Sequence, residues 1–219
     1  FHVMSHAVHN FCAVEMSSFY LDIIKDRLYA SKADSKERRS AQTAMYEILY
    51  NLVVMLMPVL SFTMEEVWQH MRKPAGAPES VQMVPWPETK EEYIDEAKEE
   101  KWAKFIALRG EVTKVLEVHR RAKDIGNSLE AQVELHATGE ALQLLRSVEK
   151  DLAMLLIVSQ ASLVEDTAAG EETGREDLKV VVKPANGHKC ERCWTYSETV
   201  GQDPKHPTLC ARCASVVED

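Results

Sequence analysis

Apolar residues recur at the three- and four-residue spacing of amphipathic helices through most of the first half of the chain. The pattern predicts one long helix over 2–31, a break at Asp34-Ser35 and a second helix over 36–57. That helix should end at Pro58, because proline cannot continue a helix. Along the first helix the apolar positions are Met4, Val8, Phe11, Cys12, Phe19 and Ile23. Cys12 is therefore expected to be a buried free thiol.

Two further helices are predicted before the pattern changes. Thr63-Met64-Glu65-Glu66 matches a capping box, which predicts a helix from Thr63 to His70. A proline-rich stretch over 73–87 is expected to run in extended form before a fourth helix over 90–123. The inward-facing positions of that helix are Trp102, Phe105, Ile106, Val112, Val115 and Leu116. Trp68 and Trp102 lie on apolar faces and are interpreted as core residues.

After Gly126 the helical pattern gives way to a mixed one. Alternating apolar and polar residues over 129–135 predict a half-buried strand, and β-branched residues over 178–182 predict another. A helix is predicted over 140–151, and an exposed acidic loop over 166–177. The sequence therefore predicts a small α+β unit that follows a mainly helical one.

Four of the five cysteines form two Cys-x-x-Cys pairs near the end of the chain. The first knuckle is Cys190-Glu191-Arg192-Cys193 and the second is Cys210-Ala211-Arg212-Cys213, with sixteen residues between them. Two such pairs supply the four thiolates that surround zinc in a closed structural site. His188 and His206 are weaker alternatives as ligands, and the pairs could instead be disulfides or redox thiols. We predict one structural zinc ion, with no ligand position left for catalysis.

Composition and charge limit the function only loosely. The hydrophobic fraction of 45% and the charged fraction of 28% are ordinary for a globular protein. A net charge of −9 argues against non-specific attraction to nucleic acid, yet 101–123 carries seven basic and two acidic residues. The longest apolar run, nine residues over 52–60, is far short of the ~20 that span a bilayer. The cysteine usage predicts a reducing cytoplasm, and the start at Phe1 predicts an internal piece of a longer chain.

Several stretches carry a family pattern. In the helical part these are Asn10-Phe11-Cys12 with the run 19–29, Arg38-Arg39-Ser40-Ala41-Gln42-Thr43, and Pro58 through Trp68. Further along they are Arg109-Gly110-Glu111-Val112, Gly126-Asn127-Ser128-Leu129-Glu130-Ala131 and the terminal Cys-x-x-Cys-Trp. On these motifs the chain resembles the C-terminal part of bacterial isoleucyl-tRNA synthetase. The helical motifs are shared with the class I synthetases for valine, leucine and methionine, whereas the later ones are typical of the isoleucine enzyme.

The resemblance implies a mainly α fold in three domains. These are an anticodon-binding helical bundle over 1–124, a small α+β unit over 125–183 and a C-terminal four-cysteine zinc finger over 184–219. It also implies two partners, the anticodon stem-loop of tRNA(Ile) and the remainder of the synthetase chain. The whole synthetase would be a monomeric ligase of protein biosynthesis. No stretch matches the HIGH or KMSKS signatures or the editing domain. The segment is therefore expected to hold no catalytic residue, with ATP bound only by the absent catalytic domain.

Trp194 is the first candidate for contact with RNA. It directly follows the first knuckle, and unpaired bases stack on aromatic and guanidinium planes. The resemblance suggests that Trp194 meets an anticodon base, whereas the alternative is that it forms the miniature core of the zinc domain. Arg192 and Arg212 occupy matching positions in the two knuckles. They would either bind phosphates or offset the charge of the four thiolates.

Further basic residues are candidates for phosphate contact. Lys25, Arg27, Arg38 and Arg39 surround the turn after the first helix, where exposed solubilising charge is the plainer interpretation. A weaker candidate for phosphate contact is the basic end of the fourth helix, Arg120, Arg121 and Lys123.

Two other classes of function compete with tRNA binding. A zinc-ribbon scaffold for protein interaction would bind a basic protein surface and no RNA, which the acidic balance favours. A thiol redox enzyme would need an exposed, reactive cysteine pair with a lowered pKa. Tight stoichiometric metal would exclude the redox enzyme.

Overall fold

A computed structural model of the chain describes residues 1–218. It has a mostly helical N-terminal region, a small mixed sheet and a C-terminal cluster of four cysteines, which confirms the predicted fold class. Its contacts form two compact units, Ala33–Asp95 and a larger unit of Phe1–Lys32 with the chain from Glu96 onward. The predicted three-domain division remains a prediction, and its last residue, Asp219, lies outside the described residues.

Helices dominate the first half of the chain and continue into the second. In chain order the α-helices of residues 1–218 are α1 (His2–Asn10), α2 (Leu21–Ile23), α3 (Lys25–Tyr29), α4 (Lys36–Leu56), α5 (Ser61–His70), α6 (Glu96–Ala122), α7 (Gly139–Arg146), α8 (Leu152–Leu156) and α9 (Ala211–Val217). A π-helical segment, Phe11–Tyr20, joins α1 to α2. Within residues 1–218, no helix has the length and apolar character needed to cross a membrane.

Among the described residues, strands occur only in the second half of the chain. They are β1 (Ala131–Ala137), β2 (Gln160–Val164), β3 (Glu171–Glu172), β4 (Leu178–Pro184), β5 (His188–Lys189) and β6 (Tyr196–Ser197). The first four form one sheet in the order β2-β1-β4-β3, and β5 pairs with β6.

The first predicted helix is helical throughout but is not one regular α-helix. Between α1 and α2 the backbone bonds run from residue i to i+5, so a three- and four-residue spacing no longer falls on one face. The prediction of a buried Cys12 is therefore wrong, because Cys12 is exposed. The predicted break at Asp34-Ser35 is confirmed. Ser35 is the N-cap of α4, and its Oγ accepts a hydrogen bond from the Arg38 N–H at 3.3 Å.

The Ala33–Asp95 unit has its own apolar core. Its buried residues are Val53, Val54, Met64, Trp68 and Val81. Trp68 is fully buried and its Nε1 donates to the Pro78 carbonyl oxygen at 3.1 Å. The predicted core position of Trp68 is thus confirmed. The proline-rich stretch supplies Val81 to this core and forms a single 3-10 turn there.

The predicted capping box at Thr63 is wrong. α5 begins at Ser61, and no side chain caps its first turn. The Glu65 carboxylate instead accepts hydrogen bonds from Ser80 Oγ at 2.7 Å and from the Val81 N–H at 3.1 Å. Because the helix already starts two residues before Thr63, Thr63 and the capping-box acid Glu66 lie inside α5 and do not cap its start.

α6 buries only part of its predicted face. Phe105, Val112, Val115 and Leu116 are buried as predicted, whereas Ile106 is 48% exposed and Trp102 is 37% exposed. The buried stripe follows positions i, i+3 and i+7 from Phe105 through Leu108 and Val112. Ile106 lies one residue off this stripe, about 100° around the helix. The core assignment of Trp102 and Ile106 is therefore wrong.

The small mixed sheet confirms both predicted strands and adds two more. β1 pairs in parallel with β2, with Val133 opposite Ala161, and antiparallel with β4, with Val133 opposite Val182. The predicted acidic loop contains β3, which pairs with β4. At its start Gly170 has φ +105°, and a Cβ there would lie 3.0 Å from the Val180 backbone. Glycine therefore allows this segment to lie against the sheet.

Candidate metal centre and nucleic-acid interface

The two knuckles meet at one point, although sixteen residues separate them in the sequence. The β5–β6 hairpin carries the first knuckle, whose chain is turned by a 2.9 Å hydrogen bond from the Trp194 N–H to the Cys190 carbonyl oxygen. Cys210 is the N-cap of α9, which carries Cys213. All four ligand atoms lie within 4.8 Å of one another. We call residues 188–217 the zinc module.

The donor set fits zinc. Four sulfurs at about 2.3 Å from one ion lie about 3.8 Å apart in a tetrahedron, and Cys193 Sγ and Cys210 Sγ are 3.9 Å apart. All four cysteines are free thiols and none forms a disulfide within 1–218. The alternative ligands His188 and His206 do not belong to the cluster. The four-cysteine cluster thus indicates a zinc ion, as predicted.

The electrostatics of the cluster favour a bound cation. Burial raises the pKa of Cys190, but N–H groups of the Cys193, Cys210 and Arg192 backbone outweigh burial and lower that pKa to about 6. Burial raises the pKa of Cys213 to about 12 and also raises the pKa of Cys210, and in both cases the nearby Cys193 sulfur adds to the effect. The backbone therefore stabilises one thiolate, whereas the ionisation of all four needs a positive ion among them.

Trp194 is displayed on the surface of the zinc module. Its side chain is 62% exposed, and the buried cluster of the module consists of Cys190, Cys210 and Cys213. The interpretation of Trp194 as a miniature core is therefore wrong. The knuckle holds Trp194 at φ +65°, a left-handed conformation that is uncommon for bulky residues. Lys189 Nζ lies 5.7 Å from the centre of the indole ring, which leaves a cation beside an open aromatic face.

Arg192 contacts the end of α3. Its NH1 donates to the Ala30 carbonyl oxygen at 2.6 Å, and its NH2 lies 3.4 Å from the Tyr29 carbonyl oxygen. NH1 also lies 3.7 Å from Cys213 Sγ. The guanidinium therefore bridges a zinc-ligand sulfur and two backbone carbonyls. Its contact with the sulfur agrees with the predicted role of offsetting thiolate charge, whereas the carbonyl contacts were not predicted.

Arg212 is paired with α3 as well. Its NH1 and NH2 donate to the two carboxylate oxygens of Asp26 at 2.5 and 2.6 Å. The carboxylate raises the pKa of the guanidinium, despite an opposing effect of burial. Both knuckle arginines are thus engaged within the chain, and their contact with phosphate remains a prediction.

The four bundle residues proposed for phosphate contact are divided between the two compact units. In the larger unit, Lys25 Nζ lies 2.5 Å from Asp22 Oδ1 and Arg27 NH2 lies 3.4 Å from Asp151 Oδ1. In the Ala33–Asp95 unit, Arg38 is half-buried. There Arg39 is exposed and donates to Gln42 Oε1 at 2.9 Å. Lys25, Arg27 and Arg39 are thus paired with residues of their own unit, and none of these contacts tests an RNA role.

A cavity of about 1200 Å³ within the larger unit gathers polar groups that the sequence did not single out. Trp194 and Lys25 line it together with Lys150 and three amide residues, Gln132, Gln160 and Asn186. Asn186 Nδ2 donates to Gln132 Oε1 at 3.0 Å, and Gln160 binds both backbone polar groups of Asn186. No local sequence signal marks these amides, because β1, β2 and the segment after β4 bring them together. Lys189 was detectable as a basic residue beside a knuckle.

Comparison with known families agrees with this geometry. A model described as the anticodon-binding domain of tRNA ligase matches residues 1–135. A second model, a zinc finger found in FPG and IleRS, matches residues 187–216 and includes all four cysteines.

Curated relatives match over the whole chain. It is 50% identical over 222 residues to the isoleucine–tRNA ligase of Syntrophotalea carbinolica and 48% identical over 224 residues to that of Moorella thermoacetica. Both alignments cover 100% of this chain and 24% of the relative. The chain thus spans about a quarter of the length of the relatives it matches. This is their C-terminal part, and their catalytic domain is not covered.

Proposed function

Because this chain belongs to the family of anticodon-binding domains of tRNA ligases, we propose that it binds the anticodon stem-loop of isoleucine tRNA. It acts as part of a longer, monomeric cytoplasmic protein that attaches isoleucine to that tRNA with ATP. Catalysis and ATP binding belong to other parts of that protein. The similarity to isoleucine–tRNA ligases over the whole chain supports this assignment.

One zinc ion has a structural role in this function. Cys190, Cys193, Cys210 and Cys213 hold it as four thiolates, and it stabilises the fold of a module with little apolar core. No ligand position remains for water or substrate, so the ion takes no part in a reaction. Its contribution to RNA binding is to fix the direction of Trp194.

The exposed indole of Trp194 is the observation that carries the proposal for RNA contact. An unpaired anticodon base stacks on this ring, and Lys189 lies beside it to attract the RNA backbone. The amides of Gln132 and Asn186 line the same cavity. Amide side chains suit hydrogen bonding to base edges, so the small mixed unit would contribute to recognition as well.

Phosphates of the stem-loop are contacted by basic side chains of each compact unit. Lys25 lines the cavity, and we propose Arg27, Arg38 and Arg39 as further contacts. Arg192 and Arg212 would bind phosphate only after they exchange their present carbonyl and carboxylate partners for it. Phosphate contacts position RNA without reading its sequence.

A titration tests the proposed function. The zinc-loaded chain is titrated with isoleucine tRNA and with the same tRNA carrying a changed anticodon, at about 50 mM and about 200 mM salt. We expect weaker binding of the changed tRNA at both salt concentrations, because base contacts are less salt-sensitive than phosphate contacts. Equal binding of the two tRNAs would contradict anticodon reading by this segment. Binding of neither, with binding of a basic protein surface instead, would favour the zinc-ribbon scaffold.

A further inference from the structure

We propose that Arg192 and Arg212 are positioning residues that cap and clamp α3, so that occupancy of the metal centre controls the order of this helix. One arginine comes from each knuckle, and both reach the same short helix. Their partners are 162 and 186 residues away in the sequence. The inference concerns the coupling of two parts of the chain and does not depend on RNA binding.

α3 is a helix that needs support from outside itself. It has five residues, and no side chain caps its first turn. It is the last part of the helical stretch that starts with α1, and only the turn at Ile24 separates it from α2. The end of such a stretch frays unless its free backbone groups are bound. Its C-cap residue Ala30 is buried nonetheless, at 2% exposed, although the Tyr29 side chain is 76% exposed. The carbonyls of the last turn have no partner within the helix and must find one elsewhere.

Arg192 provides that partner. Its guanidinium reaches the carbonyl oxygens of Ala30 and Tyr29, at the C-terminal end of α3. A cation at this end also interacts favourably with the helix dipole. Arg192 therefore acts as a C-terminal cap, supplied by a different part of the chain.

The same guanidinium contacts the metal centre. Arg192 NH1 lies 3.7 Å from Cys213 Sγ and 2.6 Å from the Ala30 carbonyl oxygen. Groups that hydrogen-bond metal ligands orient those ligands and are oriented by them. When zinc fixes the Cys213 sulfur, it also fixes the guanidinium that caps α3. Loss of the ion frees the first knuckle and removes the cap.

Arg212 forms the second attachment. Its two-pronged pair with Asp26 is the geometry that gives guanidinium–carboxylate pairs directional specificity. Asp26 lies in the first turn of α3, whereas Arg192 binds the end, so the helix is held at both ends. Arg212 lies on α9 between Cys210 and Cys213, and the metal centre fixes its position too.

Hydrogen exchange of the α3 amides measures this coupling directly. Suitable probes are the Leu28 N–H and the Ala30 N–H, which donate to Ile24 and Asp26 carbonyl oxygens at 3.0 and 2.8 Å. We compare the zinc-loaded chain with its Arg192→Met and Asp26→Asn variants. Arg146→Met is the matched control, because Arg146 forms an exposed ion pair with Glu165 in the same unit. Metal content is measured for every variant.

We expect exchange at the two probes to accelerate at least about tenfold in Arg192→Met and Asp26→Asn, the factor expected for one lost charge-assisted hydrogen bond. Removal of zinc should accelerate the same probes in the parent chain and add little in Arg192→Met, since the cap is already absent there. The charge swap Asp26→Arg with Arg212→Asp should restore slow exchange relative to either single change. A merely local disturbance would not produce this rescue.

The proposal is overturned if α3 exchange is unchanged by zinc removal while the zinc module itself unfolds. It is also overturned if Arg146→Met accelerates the α3 probes as much as Arg192→Met does. Because no RNA is present, either result leaves the proposed tRNA function standing. Conversely, a failure of the chain to bind tRNA would not affect the coupling measured here.

Discussion

The Ala33–Asp95 unit and the zinc module place a tryptophan in opposite environments. Trp68 is fully buried at the centre of an apolar core, whereas Trp194 is 62% exposed. The core around Trp68 consists of side chains from two helices and the proline-rich stretch. In the zinc module three of the four ligand cysteines occupy the buried positions instead. A module organised by a metal can therefore direct its largest apolar side chain outward.

The two regions are expected to obtain their stability from different sources. Burial of apolar area stabilises the Ala33–Asp95 unit, at about 25 cal/mol per Å² removed from water. To its cysteines the zinc module adds small or half-buried apolar residues, among them buried Ala214 and half-buried Val200 and Leu209. A structural zinc ion supplies about 10 to 16 kcal/mol of apparent binding free energy in small peptides at neutral pH. The metal therefore replaces the missing core.

Removal of the metal is the largest expected perturbation. A chelator should unfold residues 188–217 and leave the Trp68 core folded, because that core contains no ligand. Amide exchange resolved by segment checks this, with loss in the zinc module and retained protection in α4. Loss of most of the helical circular dichroism on chelation would contradict the separation.

Trp68→Ala perturbs the apolar core of the Ala33–Asp95 unit and leaves the metal ligands unchanged. Truncating a buried tryptophan costs about 3 to 5 kcal/mol through lost burial and an unfilled cavity, and here it also leaves the Pro78 carbonyl without its indole donor. Urea unfolding should show this loss in the Ala33–Asp95 unit. Zinc affinity should stay within twofold of the parent chain. A fall in zinc affinity comparable to the loss of stability would show that the two regions are not independent.

Trp194→Ala should weaken tRNA binding by about 1 to 3 kcal/mol, the value of one base stacked on an aromatic ring. It should hardly change stability, since the ring buries little area. Trp194→Gly removes the ring without straining the backbone, because glycine accepts the observed φ of +65°. Comparing it with Trp194→Ala therefore distinguishes loss of the ring from a change in backbone strain. Trp86→Ala is the matched control, with a 63% exposed tryptophan in the other unit. Equal losses of affinity from Trp86 and Trp194 would contradict a specific stacking role.

The smallest effect concerns His119, where neither metal nor apolar core is involved. Its Nδ1 lies 2.8 Å from Asp124 Oδ2, and its Nε2 contacts Glu171. Burial lowers the pKa of His119, but the two carboxylates outweigh burial and raise it. The contribution to stability is therefore complete below the unfolded pKa of about 6.5 and is lost as pH rises through the folded value.

Urea unfolding midpoints at pH 6 and pH 8.5 check the direction in which His119 changes stability with pH. The larger unit should lose less than about 1 kcal/mol between pH 6 and pH 8.5, in line with other partly exposed ion pairs. His119→Gln should remove that pH dependence. A stability that increases over the same interval because of His119 would refute the assignment.

Two local signals in the sequence were reliable, namely the cysteine spacing and the breaks on either side of α4. The knuckles are short local motifs, so their spacing alone predicted the cluster of Cys190, Cys193, Cys210 and Cys213. Ser35 and Pro58 likewise bracket α4 by local backbone chemistry. The fold class followed from these signals together with the change of periodicity after Gly126.

Contacts between distant residues were not predictable in this way. Arg212 pairs with Asp26 across 186 positions, and nothing near either residue marks the other as its partner. Glu65 binds Ser80 and Val81 of the proline-rich stretch, a contact that no local signal marks. Thr63 and Glu66 matched a capping box, but α5 begins two residues earlier, so both lie inside the helix. Cys12 became exposed because a π-helical segment changed the helical repeat. Periodicity predicts faces only while the backbone keeps the assumed repeat.

The most direct test of the central claim measures anticodon discrimination before and after metal removal. Isoleucine tRNA and its changed-anticodon counterpart are titrated into the zinc-loaded chain and into the same chain after chelation, with helical circular dichroism recorded in parallel. We predict that chelation reduces the affinity for the native tRNA to that for the changed one while the helical signal is largely kept. Full discrimination without zinc would contradict the claim that the zinc module presents the anticodon-reading surface.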